Sequence, residues 1–342
     1  MPSKLLKKIT TPKVKTVAVL MGGWSREDAV SFVSGKACAK ALRECGYDVR
    51  EIEVTRDLKQ FIEDLGDLPD VIFNALHGKG GEDGCIQGVL DMLGVRYTHS
   101  GRLASALAMD KSQSKTVVSK HGVQCPEGHI ISIENLPSDT LPLTPPYIIK
   151  PNREGSSVGI YIIREGDNRI PDIAQNWDFG EILIEQYIPG RELTVTVVST
   201  NDNDAEALTV TEIMPHTQFY DYEAKYETGG STHALPAQVP TDIFELAQSW
   251  ALKAHQALGC SGVTRSDFRY DDTRPGTSGL FYLETNTQPG MTPTSLSPEQ
   301  AEYTGLNFND FVQWMVENAQ CHDVQNKNQS APRPHAGKRT RA

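Results

Sequence analysis

The six cysteines, Cys38, Cys45, Cys85, Cys125, Cys260 and Cys321, are scattered, and no two form a CxxC pair. That spacing excludes a zinc ribbon and a disulfide framework, so free thiols in a reducing cytoplasm are the expectation. No apolar run approaches the roughly 18 residues of a membrane span. The basic start MPSKLLKKIT has no long apolar stretch, so neither a membrane partner nor a secretory signal is expected. Positive charge is also scarce. With 33 Lys and Arg against 44 Asp and Glu, the net charge of −11 argues against a nucleic-acid partner, which needs a basic face. A few local lysines still suffice for a phosphate ligand. Two common phosphate signatures are missing. The loop Gly78 to Gly84 lacks the Walker spacing, and no GxGxxG follows the first strand. This disfavours a P-loop NTPase and a dinucleotide oxidoreductase. No internal repeat is present.

What is there is a globular chain of 342 residues, 38% hydrophobic and 23% charged, long enough for two or three domains. Strand patterns at 14–21, 47–54, 70–76 and 95–99 alternate with helical ones, which predicts an α/β layer with a parallel sheet. In such a sheet the loops after the strands face the ligand crevice, and 22–27 and 77–84 are two such loops. Helices are predicted at 102–109 and 110–120. Strands follow at 147–150, 159–163 and 182–188, then a hairpin over 192–199 and 207–213. The stretch 214–240 has no regular pattern, and loops of that length are commonly functional lids. A strongly amphipathic helix spans 242–258, strands follow at 263–270 and 279–286, and a last helix covers 308–319. A polar, basic tail ends the chain.

The chemistry gathers around GLFYLETNTQPGMTPTSL, residues 279–296. Alternation along a strand puts Glu284 and Asn286 on one face and Leu283 on the other. Arg265 and Asp267 share a face of the preceding strand. If the two strands pair, Asp267, Glu284 and Asn286 converge as an oxygen-ligand set for Mg²⁺ beside a guanidinium. The alternative is a solvated strand end with a surface Arg–Asp pair. Lys150 ends an apolar strand, and Lys111 is a second phosphate candidate. The Gly- and Ser-rich loop after Lys150 offers backbone N–H groups. Glu185 and Glu192 bracket a Pro-Gly turn and can read an adenine amino group and ribose hydroxyls, or be plain surface acids. Glu27 and His77 sit on the two crevice loops, where a carboxylate can hold an ammonium; a structural histidine is the alternative for His77.

Taken in order, GGWSRE at 22–27, HGKGGEDG at 77–84, MDK at 109–111 and KPNREGSSVG at 150–159 resemble the D-alanine–D-alanine ligase family of ATP-grasp enzymes. LIEQYIPGRE at 183–192, FYDYEAKY at 219–226, RSDF at 265–268 and ETNTQPGMTPTSL at 284–296 continue that resemblance. It covers the chain from about residue 15 to 318 and implies an ATP-grasp fold, α+β in its ATP-binding part, behind a Rossmann-like parallel-sheet domain. The expected division is 1–108, 109–190 and 191–320, with a lid at 214–235 and a disordered tail at 321–342.

The resemblance also implies roles. Lys111 and Lys150 bind ATP phosphates, and the loop with Ser156 and Ser157 closes over them. Glu185 and the backbone of Gln186 and Ile188 read adenine, and Glu192 the ribose. Asp267, Glu284 and Asn286 hold two Mg²⁺ or Mn²⁺ ions. Glu27 takes the ammonium of the first D-alanine, with His77 nearby. Ser156 and Tyr226 link to Glu27 and shut the lid, and Lys225 meets the transferred phosphate. Arg265 and the backbone of Gly290 stabilise the oxyanion, while Ser295 and Leu296 hold the second D-alanine. The implied product is D-alanyl-D-alanine for peptidoglycan precursors, made through an acyl phosphate, by a cytoplasmic homodimer. Tyr226 matches dipeptide-forming members rather than the D-lactate-using ones. The intact Lys150, Arg265, Asp267, Glu284 and Asn286 argue against a non-catalytic nucleotide binder. Gln186 stands where many members carry lysine, Ala29 where an acid is frequent, and the tail has no counterpart.

Overall fold

The computed structural model describes residues 2–136, 141–155, 158–201, 204–215 and 231–322. Ser156, Ser157, Lys225 and Tyr226, most of the lid and nearly all of the tail lie outside them.

The chain begins with β1 (Thr16–Gly22), α1 (Asp28–Glu44), β2 (Asp48–Val54), α2 (Leu58–Leu65), β3 (Val71–Asn74), α3 (Cys85–Leu93) and β4 (Arg96–Tyr97). The strands form a sheet in the order β2-β1-β3-β4, all parallel. Val17, Ala18, Val19 and Leu20 of β1 are all fully buried, which is why this strand is a continuous apolar run rather than an alternating one. Gly35 lets α1 lie close on the sheet: a Cβ there would come within 2.7 Å of the Met21 Cβ. The expected crevice loops 22–27 and 77–84 both leave the carboxyl ends of their strands.

Two helices follow, α4 (Arg102–Met109) and α5 (Lys111–Ser119), the second capped by Asp110, whose side chain accepts from the Gln113 N–H. Next come β5 (Gly128–Ile131), β6 (Tyr147–Pro151), β7 (Tyr161–Ile163), α6 (Ile170–Gln175) and β8 (Ile182–Gln186). These strands form an antiparallel sheet in the order β5-β8-β6-β7. The last part holds β9 (Arg191–Asn201), β10 (Asp204–Pro215), β11 (Ser231–Ala234), α7 (Thr241–Ala257), β12 (Val263–Tyr270), β13 (Leu280–Asn286), α8 (Leu296–Tyr303) and α9 (Phe308–Glu317). Its antiparallel sheet runs β11-β10-β9-β12-β13, covered by α7.

Four features depart from the sequence-based expectation. The irregular stretch 214–240 contains β11, which pairs with the end of β10. The turn-rich segment ending at Leu296 opens a helix, α8; its buried face includes Ser297, Pro298 and Gln300, so no apolar period announces it. Strict alternation along β13 fails, because a register shift opposite Asp267 and Phe268 makes a bulge. Leu283 and Glu284 therefore both line the same cleft. Finally, α9 returns to the first layer. Phe311, Val312 and Trp314 share a core with Val17, Val19 and Phe73, and the Trp314 indole donates to the Leu5 carbonyl at 3.1 Å.

Candidate active site

An open cleft lies between the second and third sheets. Lys111, Lys150, Glu185, Glu192, Asp267 and Glu284 line it together, among apolar neighbours such as Ile148, Ile188 and Leu283. The polar groups come from the strands of both sheets, with Lys111 from the start of α5. Lys150 comes from β6, Glu185 and Gln186 from β8, Glu192 from β9, Asp267 from β12 and Glu284 from β13.

The predicted convergence of the acids is realised. Asp267 stands opposite Glu284, and Arg265 opposite Asn286. The Arg265 guanidinium grips the Asp267 carboxylate with two bonds of 2.9 Å, from Nε and Nη2. Thr194 Oγ1 donates to the same carboxylate at 2.6 Å. The Lys111 ammonium lies 3.0 Å from Glu284 Oε2 and 2.6 Å from the Glu154 carbonyl, so a cation already rests on the acid edge. Among the described residues no group of three or more His, Cys, Asp or Glu could hold a metal ion. The candidate set is instead two carboxylates and the Asn286 amide, an all-oxygen donor set that suits Mg²⁺ bound together with phosphate. Asn286 Oδ1 also accepts from the Gln288 N–H at 2.8 Å, which fixes the amide's orientation.

At the end of the cleft formed by β6 and β8 Lys150 donates to Glu185 Oε2 at 2.7 Å. Lys115 pairs with Oε1 of the same carboxylate, which is fully buried. Burial pulls the Lys150 ammonium down to about 8; Glu284 pushes back and Lys111 adds to the fall. Arg269 approaches Glu192 at 3.5 Å and donates to the carbonyls of Ile188 and Gly190. Ile188 is buried, and the Gln186 N–H is spent on the Glu127 carbonyl at 2.8 Å.

On the far side of the acids lies the crevice of the parallel sheet. Glu27 stands immediately before α1, 6% exposed. Its carboxylate fills the space beside two glycines: a Cβ would come within 2.6 Å of it at Gly78 and 2.9 Å at Gly155. Glu27 thus touches both the 77–84 loop and the loop that follows Lys150. His77 is buried beside Ser34, 3.4 Å from its hydroxyl, and burial with the nearby Arg265 charge brings the imidazole down to about 4. It is a neutral hydrogen-bonding group. The Gly290 backbone lies close to Ser295, whose Oγ would be 3.1 Å from a Cβ there. Ser295 is the residue before α8, and Leu296 packs on Ile213.

Three residues escaped the sequence reading. Glu82 is buried, accepts from the Gly78 N–H at 3.0 Å and is pushed up to about 8, by burial first and then by Glu27. Its place in HGKGGEDG was visible, but nothing in the spacing separates it from Asp83. Gln288 accepts from Asn74 Nδ2 at 2.7 Å and donates to the Leu76 carbonyl, tying the β13 loop to the end of β3. Lys115, one helical turn after Lys111, was legible only as part of a helix face.

The D-ala D-ala ligase C-terminus family model matches residues 135–317, and the D-ala D-ala ligase N-terminus model matches residues 62–100. The D-alanine–D-alanine ligase of Granulibacter bethesdensis is 55% identical over 309 residues, covering 90% of this chain and 99% of that one. That of Parvibaculum lavamentivorans is 54% identical over 312 residues, covering 90% and 99%. Among solved structures, a Bacillus anthracis D-alanine–D-alanine ligase complexed with ATP superposes with a TM-score of 0.71 at 27% identity, covering 89% and 97%. The VanG D-Ala:D-Ser ligase of Enterococcus faecalis also reaches 0.71, at 28% identity, covering 89% and 99%. With a family model matching more than half of the chain and relatives alike over nearly their whole length, the chain belongs to the D-alanine–D-alanine ligase family.

Proposed function

We infer that this chain joins two molecules of D-alanine into D-alanyl-D-alanine, with ATP as the energy source, for peptidoglycan precursor synthesis. The observation that carries this reading is the acid edge formed by Arg265, Asp267, Glu284 and Asn286. It has a lysine-lined cleft on one side and the Glu27 carboxylate on the other. A nucleotide in the cleft then points its terminal phosphate toward an amino acid held by Glu27.

The first D-alanine is anchored through its ammonium by Glu27, beside neutral His77. Its carboxylate attacks the γ-phosphorus, ADP leaves, and a D-alanyl phosphate results. The amine of the second D-alanine, seated by Ser295 and Leu296, attacks that carbonyl. The tetrahedral oxyanion is stabilised by Arg265 and the Gly290 backbone until phosphate leaves. Lys111 and Lys150 neutralise the triphosphate, the 153–159 loop with Ser156 and Ser157 covers it, and Glu185, Gln186, Ile188 and Glu192 read adenosine. Asp267, Glu284 and Asn286 would hold Mg²⁺ or Mn²⁺, two ions per site, and the metal would supply the charge screening that two anionic reactants need. Ser156 and Tyr226 close the 214–235 lid toward Glu27, and Lys225 meets the moving phosphoryl group. Closure keeps water from the acyl phosphate.

The three-part division at 1–108, 109–190 and 191–320 belongs to this reading, with α9 of the third part packed in the core of the first layer. So do a cytoplasmic location and a homodimer. Among the described residues no helix is long and apolar enough to cross a membrane. Met92 and Leu103 are 86% and 70% exposed on the packed helices α3 and α4, apolar surface of the kind a dimer covers. The test is phosphate release from ATP and Mg²⁺ across D- and L-amino acids. D-alanine alone should drive it, with D-alanyl-D-alanine as the product even when D-lactate or D-serine competes. A folded protein that releases no phosphate with D-alanine contradicts the reading.

A further inference from the structure

The Lys115 ammonium touches the carboxylate of Glu185, which lines the cleft, and the reaction above does not use it. It projects from α5 one turn beyond Lys111, its side chain is 9% exposed, and it contacts a carboxylate that is 0% exposed. It is not among the residues lining the cleft, whereas Lys111, Lys150 and Glu185 are. Lys115 therefore meets the cleft through Glu185 rather than as part of its wall. Burying a lysine is costly unless its charge is matched. Burial and then the Lys150 charge pull the Lys115 ammonium well below the ordinary lysine range; the anion in direct contact with it is the Glu185 carboxylate.

Two ammonium groups thus share one carboxylate, Lys115 on Oε1 and Lys150 on Oε2. A nucleotide breaks that symmetry. Lys150 sits at the cleft wall and is called to the phosphates, which exposes Oε2. Without a second cation Glu185 would then be a lone buried carboxylate, which takes up a proton or turns away. We propose that Lys115 is a positioning residue for nucleotide recognition, holding Glu185 ionised and aimed so that Oε2 accepts from the adenine amino group when Lys150 moves to phosphate. This rests on the adenine reading of Glu185 given above. It makes the second lysine the reason that a fully buried acid works as an acceptor.

The experiment compares ATP with inosine triphosphate, whose 6-oxo group accepts where adenine donates, in steady-state D-alanine ligation. Lys115→Met keeps the side-chain length and removes the charge. Loss of a charge-held acceptor corresponds to about a 10- to 100-fold fall in kcat/KM for ATP, carried by KM, with inosine triphosphate falling less than about threefold. Equal losses for both nucleotides, or an unchanged ATP preference, overturn the proposal. Glu185→Gln separates the two layers. If that variant keeps the full ATP preference, the adenine reading itself fails. If it loses the preference while Lys115→Met keeps it, only the role of Lys115 fails. Should Lys115→Met not fold, the double variant Lys115→Met/Glu185→Gln, free of both charges, carries the test. It should match Glu185→Gln alone in ATP preference and in KM, and any further loss of preference contradicts the proposal.

Discussion

At the scale of single residues, the site works by setting unlike charges against burial. Glu284 shows it most simply. It faces Asp267 across the strand pair and already holds one cation, Lys111, at 3.0 Å. Glu284→Gln keeps the shape and removes the charge, so turnover should fall by at least about 100-fold while the melting temperature shifts by only a few degrees. Near-normal turnover in that variant would remove Glu284 from the metal set. Glu82 gives a stability prediction with a definite sign. Its folded pKa of about 8 lies above the ordinary value of 4.5, so the folded chain binds that proton more tightly. The resulting stability is complete below about pH 4.5 and is lost as pH rises through about 8. Glu82→Gln should therefore melt higher than the unsubstituted chain at pH 9, and the gap should close toward pH 5. A gap independent of pH would contradict it. Glu284 and Asp267 were readable because alternation sets Glu284 with Asn286 and Arg265 with Asp267, and pairing of the two strands puts Asp267 opposite Glu284. Gln288 and Lys115 were not, because each acquires its role from a partner far away in sequence, and Glu82 was not, because burial and the distant Glu27 set it apart from Asp83.

Among the elements, loops carry the ligands and strands aim them. The loop after β6 meets the loop after β3 through the Glu27 carboxylate, which lies against both Gly78 and Gly155. Gly155→Ala would push a methyl to within 2.9 Å of that carboxylate. The Glu27 carboxylate can shift by side-chain rotation, so folding should survive while KM for the first D-alanine rises about tenfold, the size of one charge-assisted hydrogen bond. An unchanged KM would mean that Glu27 tolerates displacement or has no contact with substrate. The parallel-sheet strands and the long helices α1 and α7 were legible from apolar periodicity. Others were hidden for physical reasons. β5 is largely exposed, α2 buries only Phe61 and Leu65, and α8 buries polar side chains. The β13 bulge depends on what the neighbouring strand does, which no single segment records.

Over the whole molecule, the chain's end closes its beginning. Helix α9 sits in the core of the first layer, with Trp314 2% exposed and hydrogen-bonded to Leu5. Trp314→Ala should cost about 3–5 kcal/mol and lower the melting temperature of the whole chain in one transition. A separate early transition confined to one part would show that the layers fold independently. The same closure helps place the Gln288 loop on β3, and with it the acid edge beside Glu27. That adjacency lets one site activate a carboxylate with ATP and hand it to an amine. It is tested most directly by ligating D-alanine labelled with ¹⁸O in its carboxylate and analysing the released phosphate by mass. Attack of that carboxylate on the γ-phosphorus predicts one labelled oxygen in each phosphate and one lost from each peptide bond formed. Unlabelled phosphate from a productive ligation would contradict the acyl-phosphate route and the geometry read here.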